Sequence, residues 1–129
     1  MMEYGQVHHI EYYVNDIAHS NIFWNWFSKE LGYSVSSEFE GGISYEHKNG
    51  TYLVFVQVEK EFLSTNNNRK GNGLNHIAFQ GGSLESLNML QENLARKGIK
   101  ILKREGCYLC FEDPNEFAVE VYASNEGQG

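Results

Sequence analysis

Two hexapeptides, Val7-His8-His9-Ile10-Glu11-Tyr12 and Leu74-Asn75-His76-Ile77-Ala78-Phe79, read nearly alike and stand at the head of the two halves of a 129-residue chain. A strand-like segment that recurs in this way marks a duplicated architecture, in which each half repeats one supersecondary plan. Each copy also carries one histidine at the same place. A neutral imidazole is the commonest metal ligand, so two of them placed by related strands are candidates to meet at one ion.

The rest of the chain repeats one order of events. In the first half a strand from about Val7 to Val14 ends at Asn15-Asp16, where Asp16 caps a helix carrying Ile17, Phe23, Trp24, Phe27 and Leu31 and closed by Gly32. A strand near Tyr33–Glu38 follows, then Gly41-Gly42. Next comes a hairpin of Ile43–His47 and Tyr52–Val58, with Asn49-Gly50 expected as a two-residue tip of positive φ. The second half begins with a strand over Leu74–Gln80. Ser83 then caps a helix with Leu84, Leu87, Leu90 and Leu94, and Gly98 closes it. Strands near Ile99–Lys103 and Gly106–Glu112, a turn at Asp113-Pro114-Asn115-Glu116 and a last strand Phe117–Ala123 complete it. The plan is β-α-β-β-β twice, an α+β domain over 1–129. Module one spans about 5–58, a loop 59–73, module two about 74–123, and a tail 124–129.

Composition bounds the partners. Hydrophobic residues at 41% and aromatics at 14% describe a globular chain, and a formal charge of −7 without a Lys/Arg stripe argues against nucleic acid or an anionic membrane surface. The N-terminus has neither a basic region nor a long apolar run, so the expected setting is soluble and cytoplasmic. Cys107 and Cys110 have the spacing of a chelating pair but fall in Cys-Tyr-Leu-Cys-Phe, a strand-like segment. Strand positions three apart point to opposite faces, so two free, partly buried thiols are expected. The loop over 59–73 exceeds the usual connection and carries Arg69 and Lys70, which would steer an anionic substrate or simply solvate the loop.

Strand alternation sorts the remaining side chains by face. Ile10, Tyr12 and Val14 form one apolar face of the first strand, leaving His9, Glu11 and Tyr13 on the other; His8 is expected beside Ile10. Ile77 and Phe79 oppose His76, Ala78 and Gln80, and Val119 and Val121 oppose Ala118, Glu120 and Tyr122. In the fourth strand Val54, Val56 and Val58 are read as the packing side, with Leu53, Phe55 and Gln57 on the other. The collected second face is too polar for a helix contact and too aromatic for bare solvent, which suits a ligand pocket. His9, His76 and Glu120 on that face offer two imidazoles and a carboxylate, a donor set suited to Zn, Fe(II), Mn or Ni with positions left open.

At this point the chain resembles the vicinal oxygen chelate superfamily, which holds glyoxalase I, fosfomycin resistance proteins, methylmalonyl-CoA epimerases, extradiol dioxygenases and bleomycin-binding proteins. The resemblance rests on His9-Ile-Glu-Tyr-Tyr-Val14 with Asp16, Ser20 and Phe23-Trp24, on Leu31-Gly32, on Gly73-Leu74-Asn75-His76-Ile77-Ala78-Phe79, and on Phe111-Glu112-Asp113-Pro114-Asn115 leading into Val119-Glu120. It covers residues 5–123 without a close match to one named member. It implies paired modules whose sheets curl around a divalent ion, with helices outside. His9, His76 and Glu120 fall on three ligand positions. Aligning Tyr52 with Phe117 puts Phe55 at the fourth, where no donor exists, and Gln57 would serve only if the strand slipped or bulged. The resemblance then implies an open three-ligand site rather than the four-ligand site of glyoxalase I.

The implied chemistry is chelation of two neighbouring substrate oxygens by the ion, as a lyase, isomerase or transferase acting on a small molecule. Glu11, two residues from His9 on its face, is the candidate general base, hydrogen-bond partner of bound water, or further ligand. Tyr13, Phe55, Gln57, Tyr108, Cys110 and Tyr122 are the candidate pocket lining. A homodimer is implied, with His9 meeting His76 of its own chain or of a partner. The alternatives are a non-catalytic binder of the bleomycin-resistance type, which would need no metal triad, and a small dioxygenase.

Overall fold

Alternation of apolar and polar side chains extends the chain as β1 (His9–Val14), and Asp16 ends it by accepting a hydrogen bond from the His19 amide at 3.1 Å. That cap opens α1 (Ile17–Glu30), whose Phe23, Trp24 and Phe27 are buried; Gly32, at φ 94°, closes it by donating to the Lys29 carbonyl. Then come β2 (Tyr33–Phe39), β3 (Gly42–His47), β4 (Tyr52–Gln57) and a short 3-10 turn over Lys60–Phe62. The second half supplies β5 (His76–Gln80), α2 (Leu84–Arg96), β6 (Ile101–Glu105), β7 (Tyr108–Glu112) and β8 (Ala118–Tyr122). This computed structural model describes residues 4–63 and 73–124. Arg69 and Lys70, most of the connecting loop and the tail beyond Ser124 lie outside the described residues.

The chain divides into two compact units, Met1–Thr65 and Asn66–Gly129. Each is one β-α-β-β-β module, so the α+β tandem expected from the repeat is what forms. The first has strand order β1-β4-β3-β2 and the second β5-β8-β7-β6. In both, the first strand runs parallel to the last and the other pairings are antiparallel. The helix is the crossover that a parallel pair requires.

In the first unit Trp24 is fully buried and its ring lies 4.9 Å from Phe55, which in turn meets Tyr12 at 5.6 Å and Tyr45 at 5.8 Å. In the second, α2 is capped by Ser83, which accepts from the Ser86 amide at 3.1 Å, and it buries Leu87, Leu90 and Leu94. It ends with Ile99 donating to the Leu94 carbonyl and Gly98 to the Ala95 carbonyl, both at 3.0 Å, the paired bonds of a left-handed glycine cap.

The first hairpin tip differs from expectation. Asn-Gly suggests a two-residue turn with both residues at positive φ, but Gly50 (φ 98°) has positive φ and Asn49 does not. Gly50 donates to the His47 carbonyl at 2.8 Å and His47 to the Thr51 carbonyl at 2.9 Å, so the loop has three residues, a turn followed by one left-handed position. The β7–β8 connection repeats this bond for bond: Glu116 (φ 62°) donates to the Asp113 carbonyl and Asp113 to the Phe117 carbonyl, both at 3.0 Å. Asn49 and Asn115 therefore occupy the same turn position. In each turn the Asn amide donates to the side chain two residues back, to His47 Nδ1 at 3.2 Å and to Asp113 Oδ1 at 2.8 Å.

Candidate metal and substrate face

The matching turns fix which residue of β4 corresponds to which residue of β8. Counting from Asn49 and Asn115, Tyr52 corresponds to Ala118 and Val54 to Glu120. Strand pairing says the same: His9 lies beside Tyr52 and Glu11 beside Val54, as His76 lies beside Ala118 and Ala78 beside Glu120. Paired residues share a face. The face of β4 that continues His9, Glu11 and Tyr13 is thus Tyr52, Val54 and Val56, and the expectation of Leu53, Phe55 and Gln57 there is off by one residue.

Phe55 is 1% exposed and packs with Tyr12 and Trp24 on the helix side of the sheet. It lines no pocket. Gln57 is on that same side and acts as a clip. Its Oε1 accepts from the Ile17 amide at 2.9 Å and its Nε2 donates to the Asn15 and Val58 carbonyls at 2.7 and 3.1 Å, tying the end of β4 to the start of α1. Both ends of its amide are engaged at the start of α1, on the face of Val14 and not of His9. Gln57→Leu should destabilise the protein by about 1–3 kcal/mol, since buried polar partners lose their bonds; urea unfolding measures it, and an unchanged midpoint contradicts the clip.

On the other face of the first unit, the His9 ring stacks on Tyr52 with centroids 4.5 Å apart and planes within 3°. His8, expected beside Ile10, is instead exposed, with its Nδ1 2.9 Å from His9 Nδ1 and its ring edge against Tyr52 at 5.3 Å. It precedes β1, so strand alternation does not bind it. The contact engages Nδ1 of His9 and leaves Nε2 as the ring atom offered outward. Glu11 is hydrogen-bonded to the Tyr13 hydroxyl, and that bond, followed by the carboxylate's charge, raises the phenol's pKa. Tyr13 also lines an open cleft of about 480 Å³ with Val58, Glu59 and Phe62. Phe62 escaped the sequence reading because the polar stretch after it marked the whole segment as loop.

The second unit assembles more of the expected set. His76 Nε2 stands 3.4 Å from Glu120 Oε1, and His76 Nδ1 is 2.8 Å from Asn75 Oδ1. Asn75 thus does for His76 what His8 does for His9, since each engages Nδ1 from the preceding position. Tyr108 donates to Glu120 Oε2 at 3.0 Å and Tyr122 to Oε1 at 3.2 Å, with the two phenol rings 5.1 Å apart. Burial, followed by hydrogen bonds with Cys110 and Glu120, raises the pKa of Tyr108, and burial with the Glu120 bond raises that of Tyr122. Both phenols stay protonated donors at neutral pH. Cys110 pairs with Glu120 across β7 and β8 and is buried beside it, while Cys107 is half-buried; neither is in a disulfide.

Within either unit, among the described residues, no three His, Cys, Asp or Glu side chains converge on one point. The pair in the second unit nonetheless has the spacing of two donors on one ion. Ligand atoms about 2.0–2.2 Å from a zinc-like centre lie roughly 3.0–3.5 Å apart at ordinary coordination angles, and Nε2 and Oε1 are separated by 3.4 Å. Nδ1 lies against the Asn75 side-chain oxygen, and an Nδ1–H donated there would leave the Nε2 lone pair to an ion.

No family model matches the chain. An uncharacterised protein of Bacillus subtilis, YqjT, is 40% identical over 126 residues, 91% of this chain and 98% of that protein. A solved structure of a glyoxalase candidate from Bacillus halodurans is 38% identical with a TM-score of 0.86, covering 93% of this chain and 96% of that one. The glyoxylase/bleomycin resistance protein/dioxygenase domain of a Frankia species superposes with a TM-score of 0.76 at 20% identity over 97% and 96% of the two chains. The fosfomycin resistance protein FosX of Listeria monocytogenes, solved as a mutant with Mn(II) and dihydroxypropylphosphonic acid, does so with 0.68 at 15% over 98% and 96%. At those two identities the likeness is one of fold.

Proposed function

Since the chain belongs to the glyoxalase family of the vicinal oxygen chelate superfamily, we propose that it is a metal-dependent enzyme, a lyase, isomerase or transferase acting on a small substrate with two adjacent oxygens. His9, His76 and Glu120 are the ligands of a divalent ion, Zn, Ni, Mn or Fe. The observation that supports this best is the 3.4 Å spacing of His76 Nε2 and Glu120 Oε1, with the far nitrogen of His76 engaged by Asn75. When bound, the ion supplies a Lewis acid that stabilises negative charge developing on the chelated oxygens.

The chain's own residues do the rest. Glu11, on the face of His9, is the general base and takes the proton released by the substrate or by attacking water. Tyr13, already its hydrogen-bond partner, keeps the carboxylate directed along the open face. Tyr108 and Tyr122 hold Glu120, and Cys110 fills the space beneath it. Val54 stands where a fourth ligand would stand, so the protein ligand set stays at three and substrate oxygens have room. No helix among the described residues is long and apolar enough to cross a membrane. The reading carries a cytoplasmic homodimer with it, which light scattering tests.

Metal analysis tests the central claim. The purified protein should take up one divalent ion per site, and an ion at 100 times its Kd should raise unfolding free energy by about 2.7 kcal/mol. Absence of uptake, with melting unchanged by chelator, would leave the drug-binding alternative. A His9, His76 and Glu120 triple alanine variant that kept ligand affinity would favour that alternative directly.

A further inference from the structure

Resting on the metal reading above, we infer that Tyr108 is a positioning residue that makes Glu120 a one-oxygen ligand. The two oxygens of Glu120 stand in unequal surroundings. Oε2 is held from the neighbouring strand β7 by Tyr108, whose hydroxyl lies 3.0 Å away in a half-buried position. Oε1 faces His76 Nε2 and is touched by Tyr122 from the solvent side, at a longer 3.2 Å and in an exposed bond.

An ion shared by Nε2 and Oε1 displaces the Tyr122 contact and leaves the Tyr108 bond intact. A phenol bond to Oε2 occupies one of that oxygen's two lone pairs and fixes the carboxylate's rotation with Oε1 toward His76, which favours binding through Oε1. Such partners fix ligand orientation, and their loss typically costs about 10–100-fold in metal affinity. Two side chains on adjacent strands meet here because β7 and β8 pair Tyr108 with Tyr122 and Cys110 with Glu120, which places the Tyr108 hydroxyl diagonally over the carboxylate.

The test compares Tyr108→Phe, Tyr122→Phe and Glu120→Ala in the full chain, by calorimetric Kd for Co(II) and the visible absorption of the Co(II) complex. Tyr108→Phe should weaken binding about 10–100-fold and lower the visible intensity as Glu120 turns to bind through both oxygens, with apo melting little changed. Tyr122→Phe should move Kd by less than about 3-fold, since it removes an exposed bond that the ion displaces anyway. If Glu120→Ala abolishes binding while Tyr108→Phe leaves Kd and spectrum as in wild type, the positioning role is overturned and the metal site stands. If Glu120→Ala also leaves binding unchanged, both are overturned.

Discussion

Phe55→Glu should leave the first unit unfolded at room temperature, whereas Val54→Glu, one residue earlier, should leave it folded. Phe55 is 1% exposed and sits among Trp24, Tyr12 and Tyr45. Removing such a ring costs about 3–5 kcal/mol. A carboxylate put in its place adds a charge with no cation nearby and several further kcal/mol, which together approach the whole stability of a domain, about 5–15 kcal/mol. Val54 faces the other way, beside Glu11, at the position where the second unit carries Glu120. Val54 is itself buried, at 9% exposure, so the change also costs stability there, but less than at Phe55, because the side chain removed is smaller and lies on the face of Glu11 and not among the rings of the helix side. Circular dichroism and urea titration of the two variants decide it: equal destabilisation, or the reverse order, would show that the register is wrong. If the ligand reading also holds, Val54→Glu tightens metal binding by supplying a fourth donor.

Glu120→Gln should keep the fold and lose divalent metal, with Kd rising by roughly 100-fold or more, beyond the 10–100-fold expected from losing an outer hydrogen-bond partner. The amide has the carboxylate's shape and still accepts from Tyr108, but it carries no charge for the ion. Apo stability should therefore change by less than about 1 kcal/mol, the scale of one hydrogen bond altered rather than deleted. Calorimetry with Mn(II) or Zn(II) gives the affinity and thermal melting gives the stability. Metal affinity within 3-fold of wild type would remove Glu120 from the ligand set.

These two experiments fall where sequence reading was weakest and strongest. Strands β1, β5 and β8 alternate clearly enough that their neighbours alone put His9, His76 and Glu120 on the face opposite the packing residues, and the burial of Val14, Val119 and Val121 agrees with it. Strand β4 reads Tyr-Leu-Val-Phe-Val-Gln, apolar on both sides, and offers periodicity nothing to lock onto. A signal did exist, in the turn that leads into each of these strands. The Asn of each turn sits in the same geometry, and aligning the halves on Asn49 and Asn115 instead of on Tyr52 and Phe117 puts Val54 opposite Glu120. The roles of Gln57 and Asn75 were invisible because they depend on which backbone or ring atom lies within 3 Å, a matter of tertiary placement that no pattern of hydrophobicity encodes.

The parallel pairing of first and last strands carries a consequence for how the protein comes into being. His9 lies on the first strand of its unit to leave the ribosome, yet its pairing partner β4 is the last, and the same holds for His76 on β5 and its partner β8. Such long-range closure is slow compared with forming a helix or a hairpin. Each imidazole therefore waits, unplaced, until its whole half has been made and has closed. If the proposed ligand set holds, a metal that requires both would find no preformed target on the nascent chain, and a chain truncated within β8 would fail to capture it even though both histidines are present.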